Sequence, residues 1–147
     1  NLPLKDCSYD SVIMQAVIEH LHSPNKAVEE AYRILKKGGM LYLEVPFLQG
    51  FHADPYDYQR FTEVGLKVLV NKFDKIELSG VSVGPFCSLI WIVRDFISNL
   101  TNIKVLNYFL RFIISWILSP FRYLDYLVYS TKASKRLASE YYILVKK

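Results

Sequence analysis

The chain has 147 residues, 52% of them hydrophobic and 15% aromatic, which fits one domain and excludes a disordered chain. Cys7 and Cys87 are far apart and lack metal-ligand spacing, so a reduced, cytosolic protein is expected. The net charge of +4 is uneven: residues 1–89 carry 9 Lys/Arg against 11 Asp/Glu, and residues 90–147 carry 9 against 3. The basic half is also the more apolar, which suits an anionic partner such as a membrane surface, and it lacks the dense basic stripe of a nucleic-acid binder.

The chain opens on Asn1, with no basic and then apolar leader, and the natural N-terminus is expected to lie upstream. Residues 11–17 hold the run Val12-Ile13-Met14, which does not alternate and predicts a strand in a sheet covered on both faces. Ser23-Pro24 predicts a helix start. Ala27, Ala31, Ile34 and Leu35 give that helix one apolar face. Lys36-Lys37 suit its negative end, and Gly38-Gly39 supply a left-handed stop. The next strand is 40–47, so strand, helix and strand together have the size of a right-handed βαβ unit.

An irregular loop, "GFHADPYDYQRF", follows. Thr62 then caps a short helix with Leu66, Leu69 and Val70 inward. Residues 75–84 alternate and predict a strand, and 140–147 predict the last one. Between those two lies a long apolar stretch, 86–130, read as a helical insertion. Within it residues 105–130 form one helix, with Lys104, Asn107, Tyr108, Arg111 and Ser115 as a narrow polar stripe. Charges interrupt every segment long enough to span a bilayer. Three roles stand for it: a lid or core element, the commonest fate of such a stripe; a helix lying in a membrane interface, which its Trp, Phe and basic residues favour; and a dimer face.

In an open α/β sheet, ligands bind outside the carboxyl ends of the strands. Glu19-His20 lie just past strand 11–17, and the loop after Phe47 lies at the same edge. Leu2-Pro3, Ser8-Tyr9-Asp10, Glu19-His20 and the run Arg33-Ile34-Leu35-Lys36-Lys37-Gly38-Gly39 together resemble the class I S-adenosylmethionine-dependent methyltransferases, in particular the type 11 group. The likeness covers roughly residues 1–80 well and 140–147 loosely. Lys37 stands where the group usually has Pro. Its Gly-rich loop and its ribose-binding acidic residue have no counterpart here.

The resemblance implies an α/β, Rossmann-like methyltransferase sheet, incomplete, of which residues 1–147 are the C-terminal part. In the implied strand order, 140–147 runs antiparallel between 40–47 and 75–84, with 11–17 at the rim. It implies S-adenosyl-L-methionine as cofactor and methyl transfer to a small-molecule or lipid-linked acceptor. The alternatives are a non-catalytic binding or membrane-associated module derived from such an enzyme, and another doubly wound enzyme. It places Leu2 beside the adenine and Gln15 and Ala16 along the methionine part. Glu19 and His20 touch cofactor or substrate, or else Glu19 bonds neighbouring amides and His20 is half-buried.

In the loop, His52 or Asp57 can serve as a base. Phe47, Asp54 and Arg60 are candidates for the substrate, Arg60 as a two-pronged grip on a carboxylate or phosphate. The competing reading is an internal Asp57–Arg60 ion pair that staples the loop. No metal site is expected from His52 and Asp54, because the loop offers no further ligands. The location expected is cytoplasmic, peripheral to the inner face of a membrane if residues 86–130 dock there.

Overall fold

The computed structural model describes residues 2–52 and 56–147. In chain order the elements are β1 (Tyr9–Gln15), a 3-10 turn (Ile18–His20), α1 (Pro24–Ile34), β2 (Leu35–Pro46), α2 (Glu63–Leu69) and β3 (Lys75–Val83). Then come α3 (Pro85–Ser98), α4 (Lys104–Leu118), a 3-10 segment (Ser119–Leu124), α5 (Asp125–Val128), α6 (Lys132–Arg136) and β4 (Glu140–Lys146). The strands form one sheet in the order β1-β2-β4-β3. β1 runs parallel to β2, and β4 runs antiparallel to both β2 and β3. This is the implied arrangement, with the last strand inserted between the two before it.

Alternation sets the core. Leu41, Leu43 and Val45 of β2 and Tyr141, Ile143 and Val145 of β4 point to one face, where they meet Val28 and Ala31 of α1 and Leu66 of α2. At about 25 cal/mol per Å² of buried apolar surface, this layer is the main stabilising contribution. β1 departs from the expectation of a strand covered on both faces. Val12 and Met14 pack against the core, while Ile13 is 71% exposed, because no element among the described residues lies over that side of the sheet rim.

The α1 end also differs. The helix stops at Ile34, and Leu35 is already extended. Gly38, at φ +80°, makes the left-handed turn in an irregular stretch of β2, where the register jumps between Tyr9 and Ser11. The helix carbonyls are met by Lys147, not by Lys36 or Lys37. Lys147 Nζ donates to Tyr32 O and Leu35 O, each at 2.6 Å, which answers the unpaired carbonyls and the helix dipole together. Lys36 instead pairs with Asp10 at 2.9 Å. Ser23 makes no side-chain cap, whereas Thr62 accepts from Gly65 N as expected.

The apolar stretch folds into several helices rather than one long one. α4 ends at Leu118, and Ser119-Pro120 opens a 3-10 turn, since proline cannot donate to the preceding turn. Asp125 then caps α3 from a distance: Oδ1 accepts from Phe86 N at 2.8 Å and Oδ2 from Cys87 N at 3.2 Å. Gly84 makes room for this, as a Cβ there would lie 2.4 Å from the Asp125 carboxyl. Burial, reinforced by Asp125, pushes the Cys87 thiol up to about 12, so it is held un-ionised. Asp125→Ala is expected to lower stability by about 1 kcal/mol, measured by urea unfolding. A change within a few tenths would show that the cap carries no weight.

Candidate functional site

At the carboxyl end of β1 the backbone turns sharply. Ala16, just past Gln15, has φ +49°, the left-handed region that non-glycine residues seldom enter. Its amide donates to Glu44 O at 2.9 Å. The turn drops Ile18 and Glu19 into the interior, both with no exposed surface, and leaves Gln15 and Ala16 exposed at the edge.

The segment after β2 closes over this turn. Tyr58 N donates to Glu19 O at 2.9 Å. Gln59 Nε2 donates to Leu21 O at 2.9 Å, and His20 Nδ1 meets Tyr56 O at 2.5 Å. Three bonds therefore dock residues 56–59 onto residues 19–21. The result sets the two histidines side by side, rings edge to face with centroids 5.3 Å apart.

Glu19 is the centre of the cluster. Its Oε1 lies 3.6 Å from His20 Nε2 and 3.8 Å from His52 Nε2. Neither carboxylate oxygen has a hydrogen-bond partner among the described residues. An unanswered buried carboxylate is costly. Behind His52 sits a second group. Arg60 grips Asp57 in two-pronged fashion, with Nη2 to Oδ2 at 2.6 Å and Nη1 to Oδ1. Asp57 Oδ2 also accepts from His52 N at 3.1 Å. Gly50 O accepts from Arg60 Nη2 at 3.2 Å and lies 3.1 Å from His52 Nδ1. A side chain at Gly50 would collide with Asp95 of α3, whose Oδ2 lies 2.1 Å from an ideal Cβ, so α3 leans directly on this loop.

The sequence candidates sort accordingly. Gln15, Ala16, Glu19, His20, His52, Asp57 and Arg60 converge at the edge of β1. Leu2 does not join them: its amide donates to Glu30 Oε2 at 2.7 Å and its carbonyl accepts from Arg33 at 3.2 Å, both on α1. Phe47, partly buried, packs against the core with its ring 5.3 Å from Tyr141. Asp54 lies outside the described residues. Asp57 and Arg60 form the internal ion pair of the competing reading, with Asp57 also bonded to His52 N and Arg60 to Gly50 O. Gly50 and Gln59 were missed. Their roles rest on a backbone carbonyl and on bonds to distant carbonyls, which leave no pattern in sequence.

The Arg60 guanidinium beside Asp57 holds its carboxyl down to about 2, with burial opposing. A depressed carboxyl contributes stability that is present above its unfolded value and lost as pH falls through the folded one. Acid titration from about pH 4 to pH 2 should therefore remove on the order of 2 kcal/mol through this group. Asp57→Asn should flatten that part of the stability profile. An unchanged acid slope would place the loss elsewhere.

Residues 1–43 match the family model of the type 11 methyltransferase domain. The chain resembles a class I methyltransferase of the type 11 group. Its fold is that of the S-adenosylmethionine-dependent methyltransferases, as two solved structures show. One from Thermotoga maritima is 23% identical with a TM-score of 0.55, over 100% of this chain and 60% of that one. One from Archaeoglobus fulgidus is 16% identical with a TM-score of 0.55, over 98% and 62%. A Haemonchus contortus phosphoethanolamine N-methyltransferase, solved with S-adenosylhomocysteine, is 16% identical with a TM-score of 0.54, over 98% of this chain and 35% of that one. An uncharacterised protein of Methanocaldococcus jannaschii is 32% identical over 60 residues, 41% of this chain and 29% of that protein. The chain thus spans less than two thirds of each of these relatives.

Against a methyltransferase cofactor the residues fit in part. Gln15 and Ala16 offer an exposed edge at the strand end where ligands of such sheets bind, and the strained Ala16 turn holds that edge in place. Glu19 is fully buried.

Proposed function

We propose that this chain contributes to methyl transfer from S-adenosyl-L-methionine to a small-molecule or lipid-linked acceptor. The observation that carries the reading is the strained turn at Ala16: a left-handed non-glycine residue at the carboxyl end of β1, on a methyltransferase sheet, beside two histidines. Bound S-adenosylmethionine supplies the electrophilic methyl group. The chain's own part is positioning, which is most of what an in-line displacement needs. Gln15 and Ala16 border the cofactor, and the docked segment 56–60 shapes the acceptor side.

The test uses the natural protein and S-adenosylmethionine labelled in its methyl group, offered a water-soluble metabolite extract and a lipid extract separately. Label entering either extract supports the reading and assigns the acceptor class. Label in neither, with no binding of S-adenosylhomocysteine, rejects it.

A lipid-linked acceptor is favoured by the helical layer. α4 has no buried residue, and Val105, Phe109, Phe112, Trp116 and Ile117 are exposed along it. On its other side Asn107 bonds Thr101 in the loop before α4, and Arg111 lies 3.8 Å from Asp95 of α3. No helix among the described residues is long and apolar enough to cross a membrane. An apolar face with basic neighbours suits the headgroup boundary of an anionic bilayer. Vesicles of anionic lipid should sediment with the protein, and Phe112→Asp with Trp116→Asp should abolish this. Equal sedimentation of the double variant would exclude α4 as the contact.

A further inference from the structure

We infer that Glu19, His20 and His52 form a binding site for one divalent transition-metal ion. The inference stands apart from the methyl-transfer reading, because metal binding is measured directly. Each of the three residues offers one ligand atom, and those atoms lie within 4.8 Å of one another. They come from two separate segments, the turn after β1 and the loop after β2, which is why neither stretch alone shows a ligand set.

The protonation pattern points the same way. A carbonyl oxygen only accepts, so the ring nitrogen facing it must carry the proton. His20 Nδ1 faces Tyr56 O at 2.5 Å, and His52 Nδ1 faces Gly50 O at 3.1 Å. Arg60 Nη2 also lies 3.3 Å from His52 Nδ1, but Gly50 O is nearer to that nitrogen and Asp57 Oδ2 stands 3.7 Å from it, and both oxygens call for a proton on Nδ1. In both neutral imidazoles the lone pair is then on Nε2, and both Nε2 atoms face Glu19 Oε1. Anchoring one ring nitrogen on a carbonyl so that the other can ligate is the usual outer support of a metal-bound histidine.

Three acceptors thus converge with no donor between them. Glu19 is wholly buried, and both of its oxygens lack a partner among the described residues. Asp57 and Arg60 neutralise each other, which leaves the Glu19 charge unanswered. Two imidazoles and one carboxylate suit a borderline ion such as zinc or iron(II) and leave positions open for water. Bonds of about 2.0–2.1 Å set tetrahedral ligands about 3.4 Å apart. The two contacts to Glu19 are within a few tenths of this, and an ion would draw the imidazoles inward.

The experiment takes the chain stripped with chelator and dialysed. It is titrated with Zn²⁺ by calorimetry and with Co²⁺ by visible absorption. The expected result is one ion per chain, with a cobalt spectrum of nitrogen and oxygen ligands. Affinity should fall at least tenfold in His52→Ala and in Glu19→Gln. His22→Ala is the control, since His22 meets Ser23 at 3.3 Å and lies outside the cluster; it should bind as the parent does. Circular dichroism reports whether each variant folds, and His52, on the loop, keeps the test open if Glu19→Gln does not. No binding by the folded parent, unchanged affinity in His52→Ala, or loss in His22→Ala would overturn the assignment and leave a histidine–carboxylate cluster held by protons.

Discussion

Arg60→Ala should destabilise the protein by about 3 kcal/mol, near the low end for breaking a buried ion pair. Asp57 is 1% exposed and Arg60 23%, so deleting the guanidinium strands a carboxylate that water cannot reach. The His52 backbone bond to Asp57 and the Gly50 carbonyl lose their support at the same time. Replacing both partners, with Asp57→Leu and Arg60→Met, should recover most of the loss, because an apolar pair leaves no orphaned charge. Urea unfolding of the two variants measures this. A loss under 1 kcal/mol in Arg60→Ala would mean that the loop is not stapled by this pair.

Leu43→Ala should cost about 2–5 kcal/mol, the range for truncating a fully buried leucine. Leu43 has no exposed surface, and its strand neighbours are Met14 of β1 and Ile143 of β4. The cavity therefore opens at the centre of the sheet, where regular pairing on both sides limits collapse. Ile13→Ala on the same sheet should cost well under 1 kcal/mol, since its side chain is 71% exposed and loses little burial. Comparable losses at the two positions would contradict the packing described.

Much of this fold was legible because period and punctuation agree. The apolar face of α1 and the Thr62 cap each carry a local signal that the structure keeps, and the alternation of 75–84 does mark a strand, although register shifts leave its Ile76 and Leu78 exposed. The inserted position of β4 came from the family likeness, not from any residue of that strand. Other features are settled by residues distant in sequence. Lys147 at the end of α1 and Asp125 at the start of α3 act over more than thirty residues, so no local motif announces them. The end of the long helix was readable at Pro120 and was overlooked in favour of the apolar run. At the site, Glu19 and His20 could be seen to lie at a strand edge, and His52 to lie nearby. That all three share one point depends on the docking of residues 56–59, which rests on bonds to backbone carbonyls distant in sequence. The ion pair of Asp57 and Arg60 was visible from their spacing.

The central claim is that the carboxyl end of β1, at Gln15 and Ala16, borders an S-adenosylmethionine-type cofactor. The most direct measurement is a titration of the natural protein with S-adenosylhomocysteine, followed at assigned backbone amides by NMR. The account predicts that the amides of Gln15, Ala16 and Val17 shift together and saturate, while those of α4, far along the chain from this edge, stay where they were. Saturable binding that leaves Gln15 and Ala16 unmoved, or no binding at all, would contradict it.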